Sequence, residues 1–123
     1  MKYDELYDNF IDMFPEDAEF FAEKEEETNV GRDTMNLMFG LIITPFIKAI
    51  ADKDPIKTKK AFEYVEKMEN DDNPEIGNIA EVNILEDLIS DAEGIDKYLE
   101  YMGDETKKAV RHISQFFLNE KSS

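Results

Sequence analysis

Apolar residues recur at intervals of three and four along nearly the whole chain, the spacing of helices that bury one face. Tyr3, Leu6, Tyr7, Phe10, Ile11 and Phe14 fall on one side of a helical wheel and Asp4, Glu5, Asp8 and Asp12 on the other. A first helix is therefore expected to end before Pro15. Pro15 suits the opening position of a second helix over 15–28, where its missing N–H costs nothing. The apolar stripe of that helix is weaker, Ala18, Phe21 and Ala22 beside the run Glu25-Glu26-Glu27, and Gly31 closes the section. Asp33 is expected to cap a third helix running to residue 51 and apolar around its whole axis, from Met35 to Ile50. Such a helix belongs at the centre of a domain, and Pro45 should kink it.

Asp54-Pro55 and Asn73-Pro74 repeat one start signal, a side-chain cap followed by proline. The fourth helix, over 55–70, is expected to bury Ala61, Phe62, Val65 and Met68, with Lys59 and Glu63 paired at i,i+4 on the outside. The fifth, over 74–91, is expected to bury Ile76, Ile79, Ala80, Leu85, Leu88 and Ile89. This leaves Asn83, Glu86, Asp87 and Ser90 adjacent on a polar strip. Gly94 precedes a short helix over 95–102, and Gly103-Asp104 ends it and caps a last helix carrying Ala109, Val110, Ile113, Phe116 and Phe117. No strand pattern competes. The fold class is all-α, a compact six- to seven-helix bundle or a short HEAT-like stack of helical hairpins. A chain of 123 residues fits one domain, over 1–119, with a frayed tail at 120–123.

Charge changes this picture. Thirty acids against fourteen bases give a net charge of −16, laid down in alternating blocks. Residues 1–31 hold eleven acids and two bases, 32–62 three and six, 63–105 fifteen and two, and 106–123 one and four. A field of this sign repels phosphate backbones and anionic lipid heads, so neither nucleic acid nor membrane is expected as a partner. A basic protein would be attracted and steered, although high charge also simply keeps a protein in solution. The sequence has no cysteine, no signal-like opening, and a longest uncharged run, over 34–47, shorter than the ~20 residues of a membrane span. A cytoplasmic location is expected.

Candidate chemistry is sparse. His112, the only histidine, sits at the edge of the last helix's apolar face with no companion ligands, so neither a metal nor any other cofactor is expected. Asp71-Asp72-Asn73 suggests calcium, but Pro74 and Ile76 stand where an EF-hand loop needs a ligand and a glycine. Glu63-x-x-Glu66 or Glu66-x-x-Glu69, followed by Glu93-x-x-Asp96, resembles the paired carboxylates with which all-α nucleoside triphosphate pyrophosphohydrolases hold magnesium. Gly94 interrupts the second half of that pattern.

A broader resemblance rests on Met13-Phe14-Pro15-Glu16, Thr44-Pro45-Phe46-Ile47, Asn78-Ile79-Ala80-Glu81-Val82-Asn83-Ile84-Leu85-Glu86-Asp87-Leu88 and Tyr101-Met102-Gly103-Asp104. In order these resemble small acidic all-helical bacterial proteins, some similar to the immunity proteins of contact-dependent growth inhibition and other polymorphic toxin systems. The resemblance implies a toxin inhibitor that is not an enzyme and occludes the active site or substrate surface of a cognate toxin. The acidic field suits a basic, nuclease-type toxin. An acidic helical adaptor is the alternative, and the protein alone is expected to be a monomer or dimer. The expected partner-binding residues are Asn83, Glu86, Asp87 and Asp91 on the fifth helix, supported by Glu75 and Asp72, with Phe20 as an exposed aromatic anchor.

Overall fold

The computed structural model describes residues 1–116 in full and the helical backbone alone for 117–122. Phe117 and the tail expected to fray at 120–123 fall outside the residues described in full. Among the described residues there is no strand, and the helices close around one continuous core.

A 3-10 turn at Tyr3–Glu5 leads into α1, Leu6–Asp12, whose Leu6, Tyr7 and Phe10 are buried together with Phe14 beyond its end. A second 3-10 turn, Pro15–Asp17, opens α2, Ala18–Thr28. Of the stripe expected there only Phe21 is buried, while Ala18 and Ala22 face outward. The helix stops at Asn29, whose φ of 51° places it in the left-handed region that asparagine tolerates, before Gly31 is reached.

Helix α3 is built from Met35–Met38, a π-helical turn over Phe39–Ile43, and Thr44–Ile50. It is central as expected, but Asp33 does not cap it. Thr34 stands at its start without a side-chain cap and donates its hydroxyl to Gly31 O instead. The widened turn lies just ahead of Pro45, and the Thr44 N–H reaches back to Phe39 O. Leu37 and Leu41 remain about half exposed, so the helix is not buried on all sides.

Helix α4, Pro55–Glu69, starts under Asp54, which accepts from the Lys57 N–H at 3.0 Å. The Lys59–Glu63 pair does not form. Tyr64 ties α4 to α1 by donating to Leu6 O at 2.7 Å inside the core. Helix α5 follows α3's plan, with Pro74–Ala80 capped by Asn73, a π-helical turn over Glu81–Leu85, and Glu86–Ser90. The two π turns face each other, and the buried Thr44 hydroxyl donates to Asn83 O at 2.6 Å across them. Gly94, at φ 76°, turns the chain into a 3-10 segment, Asp96–Tyr101, that packs Tyr98 on Phe62.

The last helix, α6, covers Asp104–Ser122. Its first turn is capped from another helix. Glu66 of α4 accepts from the Thr106 N–H and hydroxyl, each at 2.8 Å, and from the Glu105 N–H at 3.2 Å. Asp104, expected as the cap, lies inside the first turn. A side chain at Gly103 would collide with Glu66, so glycine there is what lets the carboxylate approach. No helix is long and apolar enough to cross a membrane among the described residues.

Candidate functional site

The strip expected on α5 is only partly available. Asn83 is pinned at both ends, its carbonyl held by Thr44 and its amide donating to Asn36 Oδ1 at 2.7 Å and Ile79 O at 3.1 Å. Asp87 and Asp91 lie together, but Lys48 of α3 sits between them at 2.8 and 3.4 Å. The bond to Asp87 holds the Lys48 ammonium above its usual range. Burial works upward on Asp91, yet Lys48 and nearby backbone amides keep its carboxyl below the usual range. Glu86 turns away from this pair and lines a shallow hollow with Glu81, Val82, His112 and Phe116. Glu75 and Asp72 are exposed near the start of α5.

Phe20 is not an exposed anchor. Its ring is half-buried, 5.4 Å from Phe46 and 5.7 Å from Phe21, because α2 leans this edge onto the aromatic core.

A group of unpaired negative charges lies on α1 and α2. Glu19, Glu23 and Glu26 occupy one stripe of α2 by helical spacing, all are exposed, and none has an ion-pair partner among the described residues. Beside the stripe is a hollow of about 310 Å³ with a small-residue floor of Pro15, Ala18 and Ala22, bordered by the carboxylates of Asp12 and Glu25. Its frame is fixed by Arg32, which bonds Asp8 and Glu25 at 3.0 Å each and lies over the Tyr7 ring. Tyr7 donates its hydroxyl to Glu25 at 3.1 Å. Burial first, and then the Glu25 charge, push the Tyr7 phenol well above its ordinary range, so it stays protonated and donating.

The carboxylates of the paired-acid pattern are not brought together. Glu66 is spent on the α6 cap, Glu93 pairs with Lys97 of the 3-10 segment, and burial pushes Glu69 up to about 8. Among the described residues no group of three or more His, Asp or Glu side chains is placed to hold a metal ion. The role of Lys48 was not readable from sequence: a lone lysine on an apolar helix gives no sign of which strip it will meet.

A family model described as a domain of unknown function (DUF7674) matches residues 7–118. No curated protein and no solved structure matches the chain.

Proposed function

The chain belongs to the DUF7674 family, whose description assigns no activity, and we propose that it works by binding a basic protein partner, as an immunity protein that neutralises a cognate toxin domain of nuclease type in the cytoplasm. One observation carries this reading. Four exposed acids, Asp12, Glu19, Glu23 and Glu26, have no ion-pair partner among the described residues and lie in or beside a hollow of about 310 Å³. An arginine or lysine of the partner entering the hollow would meet Asp12 and Glu25, while the α2 stripe would steer the approach. Covering a nuclease's cationic cleft in this way blocks its substrate without any chemistry on the inhibitor's side.

Co-purification from the source cell identifies the partner. The reading expects a basic protein whose toxic or nucleolytic activity falls to background at an equimolar ratio, with association that slows as salt rises. A partner that is neither basic nor toxic would support the acidic adaptor instead. Magnesium-dependent hydrolysis of nucleoside triphosphates by the purified protein would overturn the non-enzymatic reading.

A further inference from the structure

A second surface has the opposite character. Between the 3-10 segment Asp96–Tyr101 and α6 runs a groove of about 580 Å³, more voluminous than the hollow on α2 and lined mostly by apolar surface. Ile95, Leu99 and Val110 make its floor. Lys107 and Arg111, one helical turn apart on α6, stand at its edge, and neither has an ion-pair partner among the described residues.

That arrangement is unfavourable within the chain itself. Two cations at i,i+4 repel each other. Lys107 also lies close to the N-terminal end of its helix, where the macrodipole disfavours positive charge. Lys53, Lys59, Lys60 and Lys67 also have no ion-pair partner among the described residues, but where they border a hollow two or three carboxylates line it too, whereas Asp96 alone does so beside Lys107 and Arg111, which points to an anion from outside.

The groove also limits what that anion is. A polyanion would be repelled by the −16 net charge, whereas a single carboxylate on an apolar body suffers least from it. A peptide would bring backbone amides in need of partners, and beyond the two cations the groove offers only Ser114, Gln115 and Asp96 among the described residues. A hydrocarbon chain brings none. The volume falls within the range of small-ligand sites, in which an apolar lining supplies area and a few polar groups fix orientation. Asp96, on the other wall, repels the head group and favours one direction of entry.

We propose that this groove binds an aliphatic monocarboxylate, its chain along Ile95, Leu99 and Val110 and its carboxylate between Lys107 and Arg111. The site is separate from the acidic hollow and does not rest on the toxin reading.

Titration of the isotope-labelled full chain with decanoate, below its micelle-forming concentration and followed by NMR, tests this. Saturable shifts are expected at the methyls of Ile95, Leu99 and Val110 and the amides of Lys107 and Arg111. Decanol and decyltrimethylammonium should bind about tenfold more weakly or worse, because they keep the chain and lose the negative head. The Lys107→Gln/Arg111→Gln double variant should lose a similar factor with unchanged circular dichroism and a melting temperature equal to or slightly above the parent's, since it removes two like charges from the surface. Equal binding of decanol, undiminished binding by the double variant, or shifts centred elsewhere would overturn the site. So would tighter binding of an end-blocked peptide with an internal glutamate flanked by leucines, which would assign the groove to a protein partner.

Discussion

Phe46 shows at the scale of one residue how the core is held. Its ring lies 4.6 Å from Phe21, 5.0 Å from Phe14 and 5.4 Å from Phe20, with Phe10 at 6.2 Å, so α1, α2 and α3 meet on it. Phe46→Ala should cost about 3–5 kcal/mol in urea unfolding, and a loss below about 1 kcal/mol would contradict this packing. Glu69 and Glu66, three residues apart on α4, titrate in opposite directions. Burial, and then the charges of Glu81, Glu66 and Glu105, raise Glu69 to about 8, and its Oε1 is buried without a hydrogen-bond partner. The fold therefore favours the protonated form. Glu69's contribution is complete below its unfolded value near 4.5 and is lost as pH rises through about 8. Glu69→Gln should melt close to the parent at pH 4 and several degrees above it at pH 9, and equal melting at both would refute the assignment. Burial also works upward on Glu66, but the donors at the start of α6 outweigh it and hold that carboxyl below its usual range. Its contribution is present above the unfolded value and is lost in acid. Nothing in the local sequence separates these two glutamates, because the donors to Glu66 come from α6, some forty residues on, and Glu69 is set by its burial and by Glu81 of α5.

At the scale of elements, the Glu66 cap joins α4 to α6. Glu66→Ala should cost about 1–2 kcal/mol, the usual worth of an N-cap. Gly103→Ala should cost a similar amount by pushing the same carboxylate away, and the double variant should fall short of the sum because both act on one contact. Additive losses in chemical denaturation would argue against the shared mechanism. The order and extents of the helices were legible, since their starts are marked by Pro15, Asp54-Pro55 and Asn73-Pro74 and their faces by aromatic spacing. The interior of α3 and α5 was less so. A wheel drawn at 3.6 residues per turn loses phase across a π turn, so it does not foresee Leu37 and Leu41 reaching the surface or Asn83 being held between helices. The acidic stripe of α2 was visible as a charge run, but its freedom from partners depends on where Arg32, Lys48 and Lys57 find theirs.

For the whole molecule, the distribution of satisfied charge matters more than its total. Reversing Glu19, Glu23 and Glu26 to lysine should leave stability within about 1 kcal/mol while slowing association with a basic partner and weakening its salt dependence. Reversing Glu86 and Asp87 should do less, because Lys48 already offsets Asp87. Stopped-flow association rates compare the two, and a larger effect from the second pair would return the interface to α5. The facing π turns have a consequence of another kind, best put in terms of inheritance. Each is an α-helix that holds one residue more than its regular turns require. Loss of the single codon for Gly40 would let α3 close into an ordinary helix with its first turn in nearly its present phase, because the widened turn is what absorbs the extra residue. Straightening the turn with Gly40 kept would instead rotate the first turn by about 100°, bring Met38 out to where Leu37 now lies, and draw Asn36 away from Asn83. The extra codon is thus carried with that leucine outside and that seam shut.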